Sequence, residues 1–147
     1  MSKKEPYQNT DVSVSKSQEA VRKMLFDNGA IGYQFTEMHH PEPVIEMKWA
    51  RLIIVDGNKI TQPLRIRIPL KNRRIEQVYR ALFYYLKTKF ETVRFGIVSF
   101  EEEFLPFFEM RLASGECKTV AEMALPNLRK GMPPVIEPLC LPPGDGT

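Results

Sequence analysis

Apolar residues recur along this chain with two periods, and the switches between them divide it into elements. Residues 1 to 12 are polar and without periodicity, which predicts a flexible arm over residues 1–14. From Ser15, with Gln18 three residues on as a capping box, Ala20, Val21, Met24 and Leu25 fall on one helical face, and Gly29 closes the helix. The period then becomes two. "AIGYQFTEM" sends Ile31, Tyr33 and Phe35 to one side and Gly32, Gln34 and Thr36 to the other, as a half-buried strand does. "HHPEP" makes a turn. "VIEMKWARLIIV" begins with Ile45, Met47 and Trp49 inward and loses phase near Arg51, which predicts a bulge there.

Asp56-Gly57 is a hairpin turn signal, and after it Leu64, Ile66, Ile68 and Leu70 alternate with Pro63, Arg65, Arg67 and Pro69. Two prolines that cannot donate to a ladder place this strand at an edge. A long helix follows. Ile75, Val78, Leu82, Tyr85, Leu86, Phe90 and Val93 share its apolar face, and Gly96 is its C-cap. In the last third, "SFEEEFLP" and "TVAEMALP" repeat one local pattern, each a capping box, Ser99 with Glu102 and Thr119 with Glu122, on a helix bent or ended near its proline.

These elements predict an α+β fold. An N-terminal helix precedes a three-stranded antiparallel sheet, a long amphipathic helix packs on the sheet, and two short capped helices and a Pro-rich tail follow. Residues 15–131 form a single domain and residues 132–147 an extended tail, with Ile136, Leu139 and Leu141 available to dock on a surface. A length of 147 residues suits one domain able to bury a core unaided. No apolar run is long enough for a membrane span and no signal peptide opens the chain, so a cytoplasmic location is expected, with no membrane partner.

Charge changes the picture. The chain's net +3 conceals 17 basic against 10 acidic residues up to position 98, and 4 against 8 beyond it. Residues 59 to 94 hold 10 basic and 2 acidic side chains, a stretch suited to a polyanion or an acidic protein. Lys71, Arg73 and Arg74 open the long helix, where positive charge opposes the helix dipole and costs up to about 1 kcal/mol each. Along the helix Arg73, Arg80, Lys87 and Arg94 recur every seven residues, with Tyr84 interleaved, a pattern able to grip phosphates and stack a base. A solvated surface explains part of it, since Glu76 with Arg80 and Lys87 with Glu91 stand at favourable i, i+4 spacing. Arg65 and Arg67 point to the sheet's open face. The nucleic-acid contacts expected are therefore Arg65, Arg67, Lys71, Arg73, Arg74, Arg80, Tyr84 and Lys87.

Catalysis finds little support. His39 and His40 are the only histidines, Cys117 and Cys140 lack metal-ligand spacing, and a disulfide between them is not expected in the cytoplasm. Glu101, Glu102 and Glu103 suit a helix's first turn and cannot converge on one ion. No cofactor or metal is implied, and no glycine-rich phosphate loop or nucleophile constellation occurs. The aromatics Phe83, Tyr84, Tyr85, Phe104, Phe107 and Phe108 read mainly as core, with self-association or a partner surface as the alternative.

The helix, three strands, helix order over residues 15 to 95 resembles that of a double-stranded RNA binding domain, including a His39-His40-Pro41 turn between the first two strands. The GPxH loop and KKxAK helix start of that domain are absent, so no residue roles transfer. In "YQNTDVSVSKSQEAVRKMLFDNGAIGYQFTE", "FEEEFLP" and "TVAEMALP" the chain resembles an uncharacterised family of small bacteriophage and mobile-element proteins, over about residues 7 to 141. That resemblance implies a viral or mobile-element context and supplies no catalytic residues. The expectation is a noncatalytic nucleic-acid-binding accessory protein of phage or mobile-element DNA metabolism, binding DNA or RNA and able to form a homo-oligomer. Its rival is a protein-interaction module that inhibits or redirects a host or phage protein through the aromatic region, the acidic helix and the tail.

Overall fold

The computed structural model describes residues 3–131. Helix α1 (Val14–Asp27) is followed by strands β1 (Ala30–Met38), β2 (Val44–Val55) and β3 (Asn58–Pro69), then by helix α2 (Ile75–Phe95). The last third holds α3 (Phe100–Phe104), a 3₁₀ turn (Leu105–Phe107), the short strands β4 (Glu109–Arg111) and β5 (Cys117–Thr119), and α4 (Val120–Arg129). The α+β class and its element order are those the periodicities predict. The β4–β5 hairpin is the unpredicted addition, three residues per strand being too short to show alternation.

The three long strands form one antiparallel sheet in the order β1-β2-β3, so the proline-bearing β3 lies at an edge. Asp56 and Gly57, with φ of 52° and 79°, make a two-residue loop between Val55 and Asn58, and both take the left-handed conformation such tight hairpins need. β2 and β3 pair without interruption. The irregularity expected near Arg51 lies across the ladder instead: Ala30 pairs with Arg51 and Gly32 with Ala50, leaving Ile31 as the extra residue of β1, 53% exposed.

Ile45, Met47 and Trp49 of β2 face the same side as Leu64 and Ile66 of β3, and all five are buried. α1 and α2 pack side by side over that face. From α2 come Val78, Tyr79, Leu82, Leu86 and Phe90. Tyr79 is fully buried and Tyr85 is 46% exposed, because contact with α1 turns the buried arc of α2 away from Tyr85. α3 then plugs the core. Phe104, with no exposed surface, meets Trp49 edge-on at 5.9 Å and lies 4.9 Å from Phe90 and 4.6 Å from Phe100.

The helix ends follow local chemistry, with two corrections. α1 starts at Val14 and not at Ser15: Ser13 is its N-cap, accepting from the backbone N–H of Lys16 at 3.2 Å. With Ser13 and not Ser15 as N-cap the helix gains two residues, Val14 and Ser15. α3 and α4 carry the predicted capping boxes on Ser99 and Thr119. α3 stops just before Pro106, whereas α4 runs through Pro126 to Arg129. Late in so short a helix, the missing proline N–H forfeits only the bond to Glu122.

At one end of the fold Arg94 of α2 donates to Asn28 at the end of α1 at 3.2 Å. Exposed apolar residues gather around the adjoining chain segments, with Phe95 84%, Ile97 68% and Ile54 72% exposed. The N-terminus of α2 lies at the opposite end. No helix of the described residues is long and apolar enough to cross a membrane.

Candidate functional site

The cations that open "KNRRIEQVYRALFYYLK" sit at a turn and not in the helix itself. Leu70 to Arg73 form a tight turn, closed by the Arg73 N–H donating to the Leu70 carbonyl at 3.0 Å, with Lys71 and Asn72 at φ of 50° and 64°. Arg74 is the N-cap and its side chain makes no capping bond; the first turn holds one carboxylate, Glu76, 3.6 Å from Arg74, against the three cations Lys71, Arg73 and Arg74, so this helix start carries an excess of positive charge.

The N-terminal arm answers it. Arg73 Nε donates to the Glu5 carboxylate at 2.5 Å. The two terminal nitrogens of Arg74 donate to the carbonyls of Gln8 and Thr10, each at 3.3 Å, and Gln77 Nε2 donates to the carbonyl of Pro6 at 3.0 Å. Tyr7 stacks on Tyr84 with ring centres 5.1 Å apart and planes 3° from parallel. Arg80 donates to the Tyr84 hydroxyl at 3.0 Å and lies 4.8 Å from the centre of that ring. The contacts run from exposed to half-buried and each is worth about 1 kcal/mol, but together they fasten one short segment to two turns of α2. The arm expected to be free is thus held across the ridge expected to bind phosphates.

Of the eight sequence-predicted contacts, the structure brings Arg73, Arg74, Arg80 and Tyr84 together under the arm. Lys71 stands beside them, exposed and without an ion pair among the described residues. Lys87, farther along α2, pairs with Glu91 at 3.6 Å. Arg65 and Arg67 belong elsewhere. They lie on the other face of the sheet, and Arg65 is a correction to the expected site because only 6% of it is exposed. Its Nε meets Glu109 at 3.1 Å and its Nη2 meets Glu122 at 2.5 Å, so this guanidinium clamps β3 to β4 and α4. Arg67 spends two donors on one oxygen of the buried Glu46, at 3.0 and 2.7 Å. Neither arginine presents a free fork to a phosphate. Alternation alone placed them on the open face, and it could not show that the last third of the chain folds back over that face.

What sequence reasoning missed is a groove. Two helices do not cover three strands, and the inner side of β3 at Ile66 and Ile68 is left partly open beside α2. Val78, Ala81, Leu82 and Tyr85 form one wall, Phe107 closes one end, and Glu5, Pro6 and Tyr7 of the arm form a rim. The cavity measures 520 Å³, is mostly apolar, and has Arg73 and Gln77 at its polar margin. Its volume falls in the range that binds ligands or short peptide segments. The legible signal was Tyr85, an aromatic at the border of the apolar stripe.

On the far side of the sheet, burial would push the Glu122 carboxyl up, but the Thr119 backbone N–H and the Arg65 guanidinium outweigh it and hold it below its ordinary value. Among the described residues no group of three or more His, Cys, Asp or Glu could hold a metal ion, and Cys117 is a free, exposed thiol.

No protein-family model, no curated protein and no solved structure matches this chain. A reading of its function therefore starts from the geometry of the groove and of the basic ridge beside it.

Proposed function

We propose that this protein is a noncatalytic protein-interaction module whose groove beside α2 receives an extended peptide segment of a host or phage protein, inhibiting or redirecting that protein. One observation carries this reading: the margin of the apolar groove already holds a peptide. Arg74 and Gln77 take three main-chain carbonyls of the arm, Arg73 takes a carboxylate, and Tyr84 takes an aromatic ring. Carbonyl acceptors are common to every peptide, so such contacts give affinity, and the carboxylate and apolar pockets give selectivity.

A selection from a displayed library of short peptides tests it. Binders are expected to combine an acidic residue, a proline and an apolar residue, and to be lost with Ala81→Arg, which fills the groove without touching the buried core. If the wild-type chain enriches nothing that Ala81→Arg does not, the reading fails.

A second reading, nucleic-acid binding in phage or mobile-element DNA metabolism, is favoured by the excess of cations between residues 59 and 94 and by the half-buried Tyr84–Arg80 pair on the surface of α2. It requires the arm to leave, freeing Arg73 and Arg74 to join Lys71, Arg80 and Lys87. Binding of labelled DNA or RNA should then weaken steeply with salt, be lost in Arg80→Glu with Lys87→Glu, and survive Ala81→Arg. Failure of all single- and double-stranded probes to bind at low salt removes this reading and leaves the first untouched.

A further inference from the structure

The arm seated on the groove's rim offers it a carboxylate at Glu5, taken by Arg73, a main-chain carbonyl at Pro6, taken by Gln77, and an aromatic ring at Tyr7, stacked on Tyr84 beside the groove. The same order, acid, proline, apolar, recurs in this chain at Glu42-Pro43-Val44, where Val44 is already paired in the sheet, and at Glu137-Pro138-Leu139, within residues 132–147 that lie outside the described part. We propose that the groove is a docking site for this C-terminal segment of the same chain, with Leu139 in the apolar trough and Glu137 competing with Glu5 for Arg73. The inference rests on the reading of the groove as a peptide site and gives that site a resident occupant, which an outside partner must displace.

Three independent features favour this occupant. The first is charge. Residues 132–147 contain two acidic side chains and no Lys or Arg, while the groove mouth presents Arg73 with Lys71 beside it. The second is backbone chemistry. Pro133, Pro134, Pro138, Pro142 and Pro143 remove donors and leave carbonyls, the groups that Arg74 and Gln77 already bind on the arm, and a proline-rich segment loses little chain entropy on docking. The third is reach. Phe107 borders both the groove and a second crevice lined by Thr119, Ala121 and Glu122, so α4 starts next to the groove's closed end. α4 spans about 15 Å, and sixteen further residues reach up to ~50 Å when extended. The tether is long enough from either end of that helix.

The test compares full-length wild type with the full-length double variant Glu137→Lys, Leu139→Asp by two-dimensional NMR. Both substitutions lie outside the described core, so the variant should still unfold in one cooperative Trp49 fluorescence transition, at most slightly earlier than wild type because a docked tail binds only the folded state. The expected result is a set of shifted resonances confined to Ile66, Ile68, Ala81 and Phe107. A synthetic peptide of residues 132–147, titrated onto the double variant, should return them saturably to the wild-type positions. That return should be lost when Ala81→Arg is added. Identical groove resonances in wild type and variant overturn the proposal. So does a wild-type spectrum that moves toward the variant's on dilution, since the occupant would then come from a second copy. A peptide of residues 3–10 separates the two claims. If it binds the groove of wild type and double variant with equal affinity, the peptide site stands and occupation by the tail falls.

Discussion

Arg73 reaches Glu5 across 68 positions of sequence, and the salt bridge they form is half in solvent, with side-chain exposures of 39% and 50%. Such a pair adds between zero and about 1 kcal/mol to stability, so its importance is positional. It fixes where the arm crosses the start of α2. Glu5→Lys is expected to leave the melting temperature within a few degrees of wild type while accelerating hydrogen exchange and proteolysis over residues 3 to 12. Unchanged protection of the arm would show that Tyr7, Arg74 and Gln77 hold it without the ion pair.

Arg65 is the opposite case, a cation with a structural duty. It is 7% exposed in its side chain, its partner Glu109 12%, and Glu122 completes the cluster. Arg65→Ala leaves Glu109 buried without its counter-charge and should cost about 3–5 kcal/mol, whereas Arg65→Met together with Glu109→Gln should cost much less, because the buried carboxylate is removed with its partner and only Glu122, 39% exposed, loses a counter-charge. Urea denaturation of the two variants measures the difference. Equal costs would mean that the hydrophobic stem of Arg65, and not its charge, holds the last third of the chain to β3.

The same cluster makes stability depend on acidity. The Glu122 carboxyl is held below its unfolded value of about 4.5, so the folded state binds fewer protons than the unfolded state in the interval between the two values. The stabilisation is fully present above that unfolded value and declines as the pH falls through it toward the lower folded value. Melting temperatures measured between pH 7 and pH 3 should drop more steeply for wild type than for Glu122→Gln over the acid part of the range. Parallel curves would contradict this.

Two hydroxyls lie buried without a hydrogen-bond partner among the described residues, Ser17 on α1 and Tyr79 on α2. Burial raises the phenol of Tyr79 above its ordinary value and outweighs the opposing effect of the nearby Gln18 side chain, which does not reach hydrogen-bond geometry. An unsatisfied hydroxyl contributes nothing that its removal would lose. Tyr79→Phe is therefore expected to leave stability unchanged or to raise it by about 1 kcal/mol in denaturant titrations. A loss of that size would reveal a partner for the hydroxyl.

The sequence carried the fold wherever one element could be read in isolation. Ile45, Met47 and Trp49 alternate because one face of β2 meets the helices, Asp56-Gly57 permits only a tight turn, and the Ser99 and Thr119 boxes are complete within four residues. It failed where two distant segments decide the outcome. Nothing near Arg65 announces Glu109 and Glu122, 44 and 57 positions away, and nothing near Arg73 announces Glu5. The same residue types, read locally, looked like free positive charge. Of the candidate site, the ridge was legible as basic helix residues with an intervening tyrosine. The groove was not, because it is made by what two helices leave uncovered and by a phenylalanine from the last third of the chain.

Phe104 carries a consequence for how this protein is made. Trp49 and Phe90 are complete as core residues only when Phe104 lies against them, and Phe104 is synthesised after every strand of the main sheet and both long helices. A nascent chain that has emerged only as far as α2 holds the whole sheet but lacks its plug, with an open aromatic seam between Trp49 and Phe90. That seam closes only when α3 has itself emerged, so the growing polypeptide most needs shelter between the emergence of residue 95 and that of residue 104.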